Sequence, residues 1–446
     1  MNVSPAGLST ALPATPTEDA LYSKVAWHLV PILLIAYIIS FIDRVNVGYA
    51  QLQMKDALGF SDAVFGLGAG IMFIGYFLFE VPSNILLEKI GARKTLLRIM
   101  VLWGLAATAT MFVTTATQFY VVRFFLGVFE AGFFPGVILY LTYWFPSARR
   151  GKVIAIFMSG TVIASVIAGP ISGATMKFMD GLNGWGGWQW LYLTQGLPAI
   201  VLGVMAFFWL QDRPSAALWL SSDERAKIAN DLVADAPVAK DGGHGRIREI
   251  LRDPRVYLLA LVDFLLIGGS YTMVFWTPTL IKSWGVSDVF EIGLYAAIPN
   301  IVGVIGMILM SRSADKYGER RWHFMAATAI AAIGLFITTQ TQGMLGFSLA
   351  ALCLAVFGIA SATPLFITAT TEYLPKRIAA AGIALITCLG ILGGAASPAI
   401  TGLINTKMGS PVYGMYLVVG LFLMAGLVML FALPNSRRAR RERIVA

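Results

Sequence analysis

Charge is what this chain has least of. Asp, Glu, Lys and Arg make up only 13% of its 446 residues, against about 25% in a soluble globular domain. That deficit excludes an ordinary water-soluble fold. Cysteine is almost missing too. Cys353 and Cys388 are the only two, both inside apolar runs, so no disulfide framework is implied. The three histidines, His28, His244 and His323, stand apart without the ligand spacing of a metal site. No Walker A sequence occurs. Gly66-x-Gly68-x-Gly70 lies within an apolar run, with no strand–helix unit to make it a dinucleotide fingerprint. Nothing in the chain therefore calls for a cofactor or a metal.

Apolar residues are plentiful. They form 57% of the chain, and the mean hydropathy is +0.74. A membrane span needs about 20 apolar residues to cross about 30 Å of hydrocarbon. Twelve candidate runs meet that need: 27–49, 64–87, 95–113, 118–144, 152–175, 188–210, 255–281, 292–311, 322–340, 343–372, 379–404 and 412–433. They are continuous rather than alternating, which predicts helices and not barrel strands. The expected fold class is an all-α membrane protein of twelve transmembrane helices.

The net charge of +9 raises the question of nucleic acid, and its distribution excludes it. Of 33 Lys and Arg, 27 fall in the two tails, in the loops after spans 2, 4, 6, 8 and 10, or, as Arg98, Lys152 and Arg255, in the first residues of the spans that follow those loops. Only Lys55, Lys177, Lys282 and Lys407 fall in the opposite loops, while Arg44 and Arg123 lie inside spans. This positive-inside asymmetry predicts that both termini face the cytoplasm. Residues 1–24 are polar and lack a basic start, so they are expected to be a cytoplasmic tail rather than a signal peptide. The basic tail, 435–446, would face anionic headgroups of the lipid bilayer.

The chain repeats at long range. Glu88-Lys89-Ile90-Gly91-Ala92-Arg93-Lys94 recurs as Asp315-Lys316-Tyr317-Gly318-Glu319-Arg320-Arg321, an offset of 227. Pro135 and Pro146 recur as Pro364 and Pro375 at 229, and Pro170 as Pro398 at 228. Each half then holds six spans, and an even count keeps the two halves parallel. The expected units are bundles 25–210 and 255–434, joined by a polar loop, 211–254, with a surface helix near Arg246 to Leu251. In the two matching loops the glycine permits a tight turn. The basic residues can lock onto acids or helix C-termini nearby. Glu88, Gly91 and Arg93, with Asp315, Gly318 and Arg320, are the candidate gating-loop residues.

A charge inside the bilayer costs about 2.5–3.5 kcal/mol on insertion scales, so it needs a partner or a role. Asp43, Arg44, Arg123 and Glu130 are four such charges in spans 1 and 4. At about 1.5 Å rise per residue, Asp43 and Arg123 lie at similar depth, and Glu130 lies deeper on the face of Arg123. The spacing predicts two pairs, Asp43 with Arg123 and Arg44 with Glu130. A static clamp between the spans is one reading. The other is a switch, in which protonating an acid frees its arginine for an anion and the two events favour each other.

The paired loops, with twelve spans in two parallel halves, resemble the major facilitator superfamily. FIDRVNVGYA (Phe41 to Ala50), VPSNILLEKIGARK, RFFLGVFEAGFFPG and YLTYWFP resemble its anion:cation symporter branch more narrowly. That branch includes bacterial permeases for phthalate, 4-hydroxyphenylacetate, tartrate and sugar acids, and animal vesicular glutamate transporters and sialin. The resemblance implies transport and not an enzyme. It implies import of a small organic acid anion with H+ by alternating access, in a protein that works as a monomer. It also implies that Asp43 and Glu130 carry protons, that Arg44 and Arg123 hold the substrate carboxylate, and that Tyr76 touches substrate.

The C-terminal half departs from that pattern. Asparagines that bind hydroxyls in sugar-acid members align with Thr387 and Ile391, which argues for an aromatic or short acid. Tyr271, Phe275 and Trp276 in span 7 offer rings to sandwich one, and Trp276 and Thr387 are the candidate contacts. Asp263 reads as a polar residue wetted by the cavity, and Glu80 as a gate residue. Glu372 and Tyr373 are expected to take part in loop locking. Ala168-Gly169-Pro170-Ile171-Ser172-Gly173 partly resembles an antiporter motif, so proton-coupled drug efflux is the alternative function. Coupling to Na+ has no readable oxygen cage.

Overall fold

Lipid offers the backbone no hydrogen bonds, so each apolar run must satisfy its own N–H and C=O groups. Helices do this, and the computed structural model, which describes residues 18–235, 250–375 and 378–433, is helical throughout with no strand among the described residues. The helices are α1 (Glu18–Val45), α2 (Val47–Leu58), α3 (Asp62–Ile90), α4 (Ala92–Ala109), α5 (Ala116–Glu130), α6 (Phe133–Thr142), α7 (Ser147–Phe178) and α8 (Gly187–Trp209). After these come α9 (Ser222–Asp235), α10 (Pro254–Ser283), α11 (Val289–Tyr317), α12 (Arg321–Gln340), α13 (Leu345–Tyr373), α14 (Ala379–Gly390), α15 (Leu392–Met408) and α16 (Pro411–Ala432). Twelve helical stretches are long and apolar enough to cross a membrane, so the chain is a multi-pass membrane protein.

Three of the runs read as continuous helices are broken. The first span bends at Asn46 between α1 and α2. The fourth breaks at Ala131-Gly132, where Gly132 has φ 86° and ends α5 at Glu130. A side chain at Gly132 would also meet the Ser83 hydroxyl at 2.5 Å, so the turn needs glycine for two reasons. The eleventh breaks at Ile391, between α14 and α15. The repeat is visible in the helices: α3 and α11 are both 29 residues long and start at the offset of 227.

Helices α1 to α8 pack among themselves, as do α10 to α16, giving two bundles. The expected helix near Arg246 falls at residues mostly outside those described. A surface helix that the sequence reading missed, α9, lies just before them. It is pinned to the starts of α1 and α7 by Lys24 to Glu224 (2.9 Å), by the Tyr22 hydroxyl donating to Asp231 (2.9 Å), and by the Ser147 amide donating to Asp235 (2.8 Å).

With twelve crossings, Glu18 and Ala432 lie on one face, the terminal face. On the opposite, distal side the bundles press together along three helix pairs: α2 with α10, α3 with α15 and α7 with α11. Glycines make the approach possible. A methyl on Gly66 would stand 2.3 Å from the Pro398 carbonyl oxygen, and one on Gly293 2.2 Å from that of Gly169. Polar links cross the same seam. Gln51 donates to the Phe275 carbonyl (2.7 Å), Lys282 to that of Leu52 (3.1 Å), the Ala63 amide to Thr406 (2.8 Å), and Lys177 pairs with Asp288. Midway through, Arg44 donates to Tyr271. Among the described residues, no hydrogen bond or ion pair joins the bundles on the terminal side of that contact. The seam is closed distally and parted towards the termini.

Candidate functional site

Asp43 and Arg44 occupy the last turn of α1, just before the bend at Asn46. Glu130 is the last residue of α5, just before the break at Gly132. Both ends therefore place charged side chains where the chain leaves regular helix, near the seam. Arg44 Nη2 donates to Glu130 Oε1 at 2.6 Å, and the Ser40 hydroxyl donates to the same oxygen at 2.6 Å. Ser40 lies one helical turn before Arg44, so both point at the same carboxylate. The other fork of Arg44, Nη1, donates to the Tyr271 hydroxyl of the second bundle at 2.8 Å. Its guanidinium lies over the Tyr76 ring, 5.5 Å from the centroid. The expected Arg44–Glu130 pair is present, and one arginine touches both bundles.

The second expected pair is absent. Asp43 Oδ2 accepts from the indole N–H of Trp103 at 2.8 Å, and Oδ1 has no protein partner. Arg123 is wholly buried. It donates to the Gly68 carbonyl (3.2 Å) and to the Met72 sulfur (3.3 Å), and its Nη1 has no partner. Trp103, brought in on α4, occupies the carboxylate oxygen that Arg123 was expected to take. The site thus holds one formed ion pair, one carboxylate held by an indole, and one guanidinium with neutral acceptors only. An unpaired buried charge is costly, which makes Arg123 a candidate for a further partner.

Aromatic rings surround the formed pair. Phe73 and Tyr271 are 4.5 Å apart between centroids, and Phe275 stacks on Tyr271 at 5.8 Å. Tyr37 lies against Phe134 at 5.6 Å. Of the three span-7 rings, it is Tyr271 that meets the charged cluster. Trp276 turns away. It is buried in the distal seam beside Gly48, Gln51 and Phe65, because five residues along a helix is a rotation of about 140°. The exposed Thr387 donates its hydroxyl to the Ile383 (3.0 Å) and Ala384 (3.3 Å) carbonyls of its own helix. Asp263 is not wetted. It is 5% exposed, with Oδ2 unpartnered, against Gly390 at the α14–α15 break. Tyr271 was readable as one of three candidates. Trp103 carries no sequence signal, since only the fold brings it to Asp43.

The loop residues behave as their pattern implies, with one exception. Gly91 has φ 88°, and a side chain there would meet Asp212 at 2.7 Å. The Arg93 amide donates to Asp212 (2.9 Å), and its guanidinium donates twice to the Phe207 carbonyl (2.9 and 2.8 Å) at the end of α8. That is the helix C-terminus lock the sequence suggested. In the second half Gly318 has φ 60°, and Arg320 bridges Asp315 (2.7 Å) and Glu372 (3.1 Å). The Tyr373 hydroxyl donates to Asp253 at 2.6 Å. Glu88 is exposed and makes no such contact among the described residues.

Comparisons with known proteins agree with this architecture. The family model of the Major Facilitator Superfamily matches residues 33–398 and, again, 288–444. A protein of Agrobacterium vitis, provisionally designated a tartrate transporter, is 44% identical over 413 residues, covering 93% of this chain and 94% of its own. A quinolone resistance transporter of Acinetobacter baumannii is 40% identical over 416 residues, with 93% and 94% covered. Among solved structures, a bacterial homologue of the human lysosomal transporter Spinster, inward-facing and unoccupied, superposes with TM-score 0.75. It covers 94% of this chain and 98% of its own at 17% identity, a likeness of fold.

Proposed function

The chain belongs to the Major Facilitator Superfamily, and from that premise we propose that it is a proton-coupled symporter importing an organic carboxylate. The terminal face is then cytoplasmic, in a bacterial inner membrane, and the described conformation faces inward. The observation that carries the reading is Arg44, held at once by Glu130 of its own bundle and Tyr271 of the other. A substrate carboxylate that takes Arg44 displaces Glu130, and the released carboxylate takes a proton. The bidentate fork of an arginine suits this exchange of one carboxylate for another. Arg123 supplies a second cation and Asp43 a second acid, neither of them in an ion pair among the described residues. Loss of Arg44 from Tyr271 also loosens a link between the bundles, which ties occupancy to their rocking.

The rings of Phe73, Tyr76, Tyr271 and Phe275 favour an aromatic acid. The tartrate designation of a close relative favours a short hydroxy acid instead. The quinolone relative supports a second reading, proton-coupled efflux. Quinolones are themselves aromatic carboxylic acids, so the same anion site suits either direction of transport.

The test is thermal stabilisation of the purified protein by phthalate, 4-hydroxybenzoate, 4-hydroxyphenylacetate, tartrate, galactonate, glucuronate and glutamate, beside an Arg44→Gln variant. An aromatic acid should raise the wild-type melting temperature and leave the variant unmoved. Stabilisation by tartrate alone would replace the aromatic assignment with the hydroxy-acid one. Stabilisation by a quinolone and by no panel acid would move the protein to efflux. Equal stabilisation of wild type and variant would remove Arg44 from the site.

A further inference from the structure

Arg98 lies inside α4, six residues past the start of the helix. That is about 9 Å into the membrane from the terminal face. Its guanidinium is half-buried, and Nη2 donates to the Ser83 hydroxyl at 2.6 Å. It makes no ion pair within the described residues. Arg98 opens onto a groove of about 420 Å³ between α3, α4 and α5. Lys89, also without an ion pair within the described residues, sits at its terminal end. The remaining walls are mostly apolar, among them Phe79, Ile85, Leu102 and Phe129. Phe79 and Ile85 are 42% and 49% exposed, and Phe125, one turn before Phe129 on α5, is 45% exposed, so the groove is continuous with the lipid-facing surface.

A second groove, about 900 Å³ between α1 and α7, differs in the feature that matters. Its Arg149 is already neutralised by Glu18 (3.5 Å) and Asp19 (2.7 Å), and its other cation, Lys152, is exposed. Among the described residues no such carboxylate pairs with Arg98 or Lys89, and the two charges stand at the depth of the headgroups, above an apolar trough that suits acyl chains.

We propose that the α3–α4–α5 groove is a binding site for an anionic phospholipid, with Arg98 and Lys89 on its phosphate and the apolar walls against its chains. Basic pockets between helices near the cytoplasmic surface recognise headgroups by this combination. Arginine deep in the site supplies a planar fork for phosphate oxygens, and lysine adds a point charge nearer water. The source of the phosphate is a lipid, because a soluble phosphate would leave the apolar trough against water.

The experiment is thermal stability of the full chain in detergent, titrated with phosphatidylglycerol, phosphatidylcholine or glycerol 3-phosphate. Wild type, an Arg98→Gln/Lys89→Gln double variant, and a control Lys227→Gln on the exposed α9 would be compared. Phosphatidylglycerol should stabilise wild type and the control at concentrations several-fold below those of phosphatidylcholine, with glycerol 3-phosphate inert. The double variant should lose the preference between the two lipids. Counting bound phosphatidylglycerol by native mass spectrometry keeps the test open if that variant is less stable, because fewer retained lipids are expected whatever its melting point. Equal effects of the two lipids on wild type, or a preference retained by the double variant, would overturn the proposal. An effect of glycerol 3-phosphate equal to that of the lipid would assign the cations to a soluble phosphate.

Discussion

Four charges within the membrane set the chemistry, and their partners divide them. Arg44 and Glu130 are paired at 2.6 Å, whereas Asp43 depends on the one indole N–H of Trp103. Replacing Trp103 by Phe should cost about 1–3 kcal/mol of stability, the penalty for leaving a buried acceptor unmade. It should also move the pH midpoint of uptake, because Asp43 then turns to Arg123. Trp144 is as buried and its indole nitrogen has no partner, so Trp144→Phe should leave the pH midpoint in place. Equal midpoints in both variants and wild type would show that Trp103 only packs. At this scale the sequence was legible where one helix face carried the answer. The Arg44–Glu130 pair, with Glu130 one heptad beyond Arg123, is such a case, whereas Ser40, one turn before Arg44, was not singled out. The sequence was not legible for Trp103 or Asp212, whose contacts exist only once distant helices meet.

Helix breaks and helix crossings decide where those side chains go. Gly132 is a readable breaker, yet Asn46 and Ile391 end helices in ordinary right-handed conformations with no local signal. The continuous apolar runs were therefore drawn through all three breaks. The distal seam depends on glycine. Gly293→Val would drive a side chain into the Gly169 carbonyl, so it should block distal closure while leaving the bundles folded. Cysteine-accessibility labelling at the distal face should rise, and transport should fall at least tenfold.

The seam's ion pair adds a milder effect. A hydrogen bond from Lys177, followed by the Glu291 and Phe290 amides, holds the Asp288 carboxyl below its ordinary range despite an opposing desolvation effect. A depressed acid contributes stability above its unfolded value and loses it only as pH falls through the folded one. The contribution is then constant between about pH 5.5 and 7.5, well above the carboxylate range. Lys177→Gln should raise distal accessibility equally at both pH values. A change confined to the acid side would contradict this sign.

As a whole, the molecule is two parallel bundles closed at one end around a charged midpoint. The repeat at offsets 227 to 229 made the two-fold design legible, because each repeated loop carries a positive-φ glycine and a locking arginine at matched positions. The side on which the seam is closed was not legible. Only the assembled packing of Gly66, Gly169 and Gly293 shows it. Trp276 shows the same limit: an aromatic in the right span went to the seam, and Tyr271 went to the site.

The central claim is that Glu130 exchanges Arg44 for a proton when an anion binds. Its most direct test is accumulation of radiolabelled 4-hydroxyphenylacetate, or of tartrate if that acid stabilises the protein instead. Proteoliposomes holding wild type or Glu130→Gln would be given an inward proton gradient, with counterflow exchange measured beside it. The account predicts that wild type concentrates the acid, while the variant retains exchange and loses uphill accumulation. Full accumulation by Glu130→Gln would contradict it and leave the Arg44–Glu130 pair as a clamp between two spans.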